Sequence, residues 1–371
     1  MTAVPLEETP SPELSEGPGL RAMTSRRVAI LLFNLGGPDE PRAVRPFLFN
    51  LFNDGAIISA PQPFRYLLAQ LISRSREKTA QANYAFMGGR SPIAPETQLQ
   101  ARALEEAMSK RVPNVTFKVL PAMRYWKPWI VEAAEEALEW HATDAILLPL
   151  YPQFSTTTTA SSLKAFRDIC DLPASTVCCY PAGGAFAEAH ADQIMAAWRN
   201  GGSPEKPRVL FSAHGLPQRV IDAGDPYQWQ VEQSVAAVRK LLPAEWETRT
   251  CFQSRVGPLK WIGPSTEHEI QTAAEDKVGV IVSPIAFVSE HVETLVELDI
   301  EYAQLAKSLN LPFYLRAPAL GTHPRFIDAL ADLAERALSA PGKVQSETGG
   351  RLCPAVHGLC AQGAVSLGSA R

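Results

Sequence analysis

The chain has 371 residues, with 35 Lys+Arg against 39 Asp+Glu and a net charge of −4. At 46% hydrophobic and 20% charged residues it has enough apolar material for a folded core, which excludes a wholly disordered chain. The acidic balance excludes a general nucleic-acid binder, and no apolar run is long enough to predict a membrane-spanning helix.

Residues 1–25 are acidic and Pro-rich and read as a disordered leader without the basic-then-apolar pattern of a secretory signal. Six cysteines in a chain of this length do not make a disulfide framework, so a reducing cytoplasm is the expected compartment. Order is predicted to begin near Arg27. There VAILLFNLGGP reads as a buried parallel strand ending in a turn. Further strand-like runs, FKVLPAM (117–123), DAILLPLYP (144–152) and STVCCYP (175–181), alternate with helical stretches at 131–140, 160–169 and 185–200. After NGGSPEKP (200–207) the alternation restarts, with strands at 208–217, 247–254, 278–288 and 311–318 and helices at 226–242, 291–309 and 324–340.

Strand–helix alternation implies βαβ units and parallel sheets. The expected fold is therefore α/β, with two Rossmann-like domains, each a parallel sheet flanked by helices, around an interdomain cleft. The boundaries read as 26–200 for the N-terminal domain with an apolar lip, 201–322 for the C-terminal domain, 323–340 for a closing helix and 341–371 for a flexible tail carrying Cys353 and Cys360.

Ligands of open α/β sheets bind beyond the carboxyl ends of the strands. The strand RVLFSA delivers His214 there, followed by Gly215. An imidazole at that place suits proton or metal traffic; a loop histidine satisfied by a backbone carbonyl is the plain alternative. After VGVIVSPIAFV come Ser289, Glu290, His291 and Glu293, and Glu293, Glu297 and Glu301 repeat at i, i+4 and i+8. Helical spacing stacks these carboxylates in one stripe without interleaved Lys or Arg, either a solvated acidic face or a path for protons or a divalent cation. Nitrogen and oxygen donors from His214, His291 and Glu293 suit Fe²⁺ or Zn²⁺ better than Mg²⁺. There is no HExxH, no P-loop and no GxGxxG. The segment 46–72 is strongly apolar. It forms helix core, a lip over a flat apolar ligand, or a surface that rests on a membrane. Tyr84, Tyr125 and Trp261, beside Arg76, Arg124 and Ser91, offer aromatic faces and guanidinium groups to a planar ring bearing carboxylates.

In this order, NLGGP (34–38), GGRSPI (88–93), MRYWKP (123–128), LPLYPQFSTTTTASSL (148–163), FSAHGLP (211–217), FQSRVGPLKWIGPST (252–266) and PIAFVSEHVETLVELDIEY (284–302) resemble the ferrochelatase family over about residues 27–340. The resemblance implies a lyase that inserts Fe²⁺ into protoporphyrin IX with release of two protons, the last step of heme biosynthesis. It implies a catalytic and metal-binding pair, His214 and Glu293, and a supporting acid, proton or iron route through Glu290, His291, Glu297 and Glu301. It implies porphyrin contacts at Asn34, Leu35, Arg76, Tyr84, Ser91, Arg124, Tyr125, Trp261 and Phe287. Family members often carry Asp in place of Glu290, and some carry Met in place of Leu35.

Cys353 and Cys360 resemble the C-terminal cysteines of members that bind a [2Fe–2S] cluster. Such a cluster takes four thiolates. The other two would come from Cys170, Cys178, Cys179 or Cys251, with unliganded thiols as the alternative. The implied partners are protoporphyrin IX and ferrous iron, with no nucleic acid and with peripheral membrane contact through 46–72, on the inner face of the membrane. A two-lobed binding protein or porphyrin carrier is the contrasting reading. It lacks a signal segment and has no need of ionisable groups facing a ring. A cobalt or nickel chelatase is a second contrast, because N/O ligation separates these metals poorly.

Overall fold

The computed structural model describes residues 26–363 except 256 and 258; the leader at 1–25 lies outside the described residues. β1 (Arg26–Asn34) is buried on both faces from Val28 onward, the pattern of a central parallel strand. It pairs in parallel with β2 (Val115–Met123) on one side and β3 (Asp144–Pro149) on the other, and β4 (Ala174–Cys179) follows β3. In the second sheet β5 (Arg208–His214) is central, between β6 (Glu247–Gln253) and β7 (Val280–Pro284), with β8 (Tyr314–Arg316) at the edge. All these pairings are parallel, as expected for two βαβ-built sheets.

Strand order reverses at β1/β3 in the first sheet and at β5/β7 in the second. A switch point leaves a crevice at the carboxyl ends of the strands, because the helices leave in opposite directions on either side of it. The two crevices face one cavity. Asn34, Leu35, Leu150 and Tyr151 from the first and His214, Ala286 and Phe287 from the second line it together.

The apolar segment at 46–72 becomes two helices, α1 (Val44–Phe52) and the first half of α2 (Gln62–Ala85), which meet through Phe49 and Tyr66 at 5.3 Å between rings. α2 leaves Phe64 and Leu67 more than 60% exposed, with Tyr66, Leu68 and Leu71 beside them. α3 (Ile93–Arg111), which the strand–helix reading passes over, covers the first sheet with Ala101, Leu104 and Met108. α4 (Ile130–Glu139) and α5 (Thr159–Arg167) cover its other face.

The boundary near residue 200 is less sharp than the sequence implies. α6 (Gly184–Asn200) places Phe186 and Ala189 in the core of the first sheet, and Ala187, Ala191 and Ile194 in that of the second. α7 (Gln218–Asp222), α8 (Tyr227–Arg239) and α9 (Thr266–Glu275) complete the second half. The closing helix, seen as α11 (Pro324–Leu338), returns to the first sheet, packing Phe326, Leu330 and Leu333 with Val28, Ile30 and Leu32. Beyond it the chain does not trail away. β9 (Val344–Ser346) pairs in parallel with β4 as a fifth strand, and Cys353 and Cys360 are buried. Over its described part the expected flexible tail is thus a strand and a turn held by sheet hydrogen bonds. A three-residue strand is too short to show a period in sequence.

The helix expected at 291–309 departs from α geometry. It is a π-helix over Glu293–Tyr302 that runs into α10 (Ala303–Ser308). No helix among the described residues is long and apolar enough to cross a membrane.

Candidate active site

His214 is the last residue of β5. Its Nδ1 lies 2.9 Å from Glu293 Oε2, at the start of the π-helix. Gly215 makes this end possible, because a Cβ there would lie 2.9 Å from the Gln253 carbonyl. The Tyr227 hydroxyl donates to the His214 carbonyl at 3.0 Å. His291 packs against Phe287 at 4.7 Å between rings, its Nε2 3.9 Å from Glu293 Oε2. His214, His291 and Glu293 all line a cavity of about 680 Å³, within the size range of small-molecule sites.

Burial works against charge on His214, yet the Glu293 and Glu297 carboxylates outweigh it and raise its pKa above the usual 6.5. Burial likewise opposes charge on Glu293. His214, His291 and Ser254 overcome it and bring this carboxyl down to about 2. His291 is pushed down by burial despite the nearby carboxylates. The pair therefore has an imidazole of raised basicity facing a cavity, oriented by a carboxylate on its other nitrogen.

A chain of hydrogen bonds leads away from this pair. Ser254 Oγ stands 3.3 Å from Glu293 Oε2 and 2.5 Å from Glu297 Oε2. The Tyr302 hydroxyl stands 2.9 Å from Glu297 Oε1 and 3.2 Å from Glu267 Oε1. Each hydroxyl has one hydrogen and two carboxylate neighbours, so four contacts share two hydroxyl hydrogens. Burial and the Glu293 charge raise the Glu297 pKa. Gln253 fastens the same assembly, its Nε2 donating to the Glu293 carbonyl and to Glu297 Oε2. Ser254 adopts a left-handed backbone, φ +62°, held by its own N–H on Glu297 Oε1 at 2.8 Å. Strain of this kind costs about 1–3 kcal/mol and collects at functional sites.

The stripe read as Glu293, Glu297 and Glu301 is therefore joined only in its first two members. The π-helical i→i+5 step brings Tyr302 to Glu297, and Glu301 is exposed. Glu290 lies behind the cavity rather than on its wall. It pairs with Arg316 at 2.5 Å and accepts from the Ala319 amide, and these partners hold its pKa low against its burial. α3 grips the same loop. Glu96 accepts from the Glu290 amide at 2.7 Å, and Gln100 bonds the Val288 carbonyl and the Ser289 hydroxyl.

Among the expected ring contacts, Asn34, Leu35, Trp261 and Phe287 line the cavity. Tyr84 is buried within α2, near enough to Glu293 for burial and that charge to raise its pKa. Ser91 does not line the cavity; it supports the NLGGP turn, where a Cβ on Gly37 would sit 2.6 Å from its side chain. Arg76 stands over Phe52, a lining residue, at 5.7 Å. Arg124 and Tyr125 both bond Asp54 Oδ2 at 2.8 Å and so anchor the lip at Ala56–Ile58 from behind. Gln253, Ser254, Tyr302, Glu267, Asp54 and Gln100 were not singled out from the sequence. Only Gln253 and Ser254 carried a signal, their place at the carboxyl end of a strand.

A second cluster lies in the first half. Cys178 and Cys179 are consecutive on β4, where alternation would turn them to opposite faces. The register shift between Val177 and Cys179 in the pairing with β9 bends the strand there, and the two sulfurs lie 3.4 Å apart. Cys353 and Cys360 face them. The Cys178, Cys353 and Cys360 thiols and burial together raise the Cys179 pKa. Cys360 is held down by the Cys353 thiol, the Gln362 amide and Arg351. Phe154, Ala361, Val344 and Leu352 close around the cluster. Cys170 and Cys251 sit in other cores. Among the described residues no three His, Cys, Asp or Glu side chains converge on a single metal ion. The four thiols form two pairs, the arrangement two irons with two thiolates each require. The donor set fits such a cluster.

A mostly apolar cleft between two parallel sheets, with an imidazole–carboxylate pair and a chain of hydrogen bonds at its base, is the setting in which a chelatase-class enzyme is to be looked for. The family model for ferrochelatase matches residues 27–338. The chain is 56% identical to the ferrochelatase of Phenylobacterium zucineum, covering 90% of this chain and 98% of that protein. It is 55% identical to that of Caulobacter vibrioides (91% and 100% covered) and 50% identical to that of Hyphomonas neptunium (91% and 95% covered). The chain belongs to the ferrochelatase family. It is a lyase that inserts ferrous iron into protoporphyrin in heme biosynthesis.

Proposed function

We propose that His214 takes the pyrrole protons and that Glu293 passes them outward. With Nδ1 donating to Glu293, the other ring nitrogen, Nε2, is left for the cavity. Each of two N–H bonds breaks as a nitrogen–iron bond forms, and the two protons leave as iron enters as Fe²⁺, so charge balances. A proton accepted at Nε2 makes an imidazolium beside a carboxylate, and the Nδ1 proton can then move to Glu293. From there it passes Ser254, Glu297, Tyr302 and Glu267 in turn. Apolar walls supply binding energy remote from the nitrogens, and that energy is available for bending the macrocycle. The observation that carries this reading is the 2.9 Å contact between residues 79 positions apart. The same pair offers nitrogen and oxygen donors to iron. His214→Ala is expected to lower kcat at least 100-fold, the usual scale of general-base loss, with porphyrin affinity nearly intact. Undiminished kcat would refute the assignment.

Three finer features belong to this reading. The four thiols Cys178, Cys179, Cys353 and Cys360 hold a [2Fe–2S] cluster. When bound, it ties β4 to the C-terminal segment through metal–sulfur bonds. The exposed Phe64, Tyr66, Leu67, Leu68 and Leu71 of α2, with the exposed Arg74 on the same helix, rest on a membrane surface. Leu67→Asp with Leu71→Asp is expected to abolish co-sedimentation with anionic vesicles. None of the six cysteines is paired in a disulfide, which supports a cytoplasmic location.

A further inference from the structure

The matched family model ends at residue 338, so it assigns nothing to the segment that follows. That segment reaches the cleft. Leu359 lines the cavity and is 39% exposed there. Its amide donates to the Gly224 carbonyl at 3.2 Å. Gly224 has φ +100°, and a Cβ on it would meet the Gly358 nitrogen at 3.1 Å, so glycine is what lets the two segments lie this close. The His357 ring stands 5.8 Å from that of Trp229. Arg351 spans the turn from its exposed side, its Nη2 donating to the carbonyls of Pro354 and His357.

Both ends of this turn are fixed at the thiol cluster, through Cys353 and Cys360. Gln230 joins it to the cavity wall. Its Nε2 donates to Cys353 Sγ at 3.1 Å, and its Oε1 accepts from the Phe154 amide at 2.7 Å. Phe154 lies between Gln153 and Ser155, both of which line the cavity. Leu359, next to Cys360, cannot shift far while that thiol stays where it is.

We propose that Leu359 is a porphyrin-contact residue supplied by the C-terminal turn, and that Cys353, Cys360 and Gln230 are the positioning residues that keep it at the cleft. The proposal rests on the cleft being the porphyrin site. A half-exposed leucine facing an apolar cavity gains by being covered, and a flat apolar ring edge covers it. If the turn opens, only the closed fraction binds with full affinity, so porphyrin affinity follows the state of the thiols.

The test is the dissociation constant of protoporphyrin, without iron, for the full chain as purified, read by fluorescence quenching. Leu359→Ala is expected to weaken binding roughly tenfold, as loss of most of one leucine contact requires, and Leu359→Met to stay within about twofold. Cys360→Ser is expected to weaken it by a similar factor. The double variant Leu359→Ala/Cys360→Ser should bind no worse than Leu359→Ala alone. Gln230→Met, which cuts both tethers at nearly constant volume, should raise KM for porphyrin while kcat holds. Trp261→Ala serves as the control for the cleft. Unchanged affinity in Leu359→Ala beside weakened binding in Trp261→Ala overturns the contact. Losses that multiply in the double variant overturn the positioning role. Unchanged affinity in both Leu359→Ala and Trp261→Ala removes the cleft as porphyrin site, and the proposal with it.

Discussion

His214 and Glu293 come from the end of one strand and the start of one helix, and they meet in a lined cavity open to substrate. Cys178, Cys179, Cys353 and Cys360 come from the middle of the chain and its C-terminal segment, and they meet in a closed apolar shell. At the first, opposite charges on imidazole and carboxylate favour each other, so the imidazole is the stronger base and the carboxylate stays charged. At the second, four thiols crowd together, and Cys178 with burial raises the Cys179 pKa while the Cys353 thiol, the Gln362 amide and Arg351 hold that of Cys360 down. One pair is arranged for traffic and the other for retention, and Leu359 is the point where the second touches the first.

The largest expected effect separates the two outright. Cys178→Ser with Cys360→Ser should remove all visible iron–sulfur absorbance from anaerobically purified protein, while His214→Ala leaves that absorbance whole. Absorbance that survives the cysteine changes would dissolve the contrast, since the thiols would then hold nothing. A smaller effect sharpens the proton side. Tyr302→Phe should slow kcat about tenfold at unchanged KM, less than the roughly 100-fold or more expected for a group that meets the substrate itself, with a diminished solvent isotope effect. An unaltered rate would mean that protons leave by another path.

What the sequence made legible follows the same division. Strands and their carboxyl ends were readable, because buried parallel strands are continuous apolar runs and because switch-point crevices form at those ends. Hence His214 and the Ser289–Glu293 segment could be singled out from strand ends, whereas Phe287 was implied only by the family resemblance. Placement that depends on a local departure from regular geometry was not readable. Glu301 falls on the stripe of an α-helix, and only π-helical turns exchange it for Tyr302. Cys178 and Cys179 read as opposite faces of a strand until a bulge turns them together. That Asp54, about 70 residues earlier, bonds both Arg124 and Tyr125 is equally something that nothing in sequence reveals.

The smallest effect lies away from both clusters and checks that pH responses are not all credited to the active site. His190 in α6 is buried against Phe186 with neither ring nitrogen bonded, and burial, with His323 nearby, lowers its pKa to about 3. A histidine with a depressed folded pKa contributes full stability above its unfolded pKa of 6.5 and loses it as pH falls toward 3. By pH 5 the loss is about 2 kcal/mol. His190→Phe should flatten thermal stability between pH 7.5 and pH 5 without moving the pH profile of kcat. An equal fall in both proteins would place the acid sensitivity elsewhere.

The account turns on proton transfer between residues 214 and 293. Its most direct test is single-turnover iron insertion into prebound protoporphyrin, followed by absorbance, in Glu293→Gln. That substitution keeps the side chain's size and removes its charge and basicity. The rate should fall more than 100-fold with porphyrin still bound as tightly as in the wild type. A rate within threefold of the wild type would contradict it.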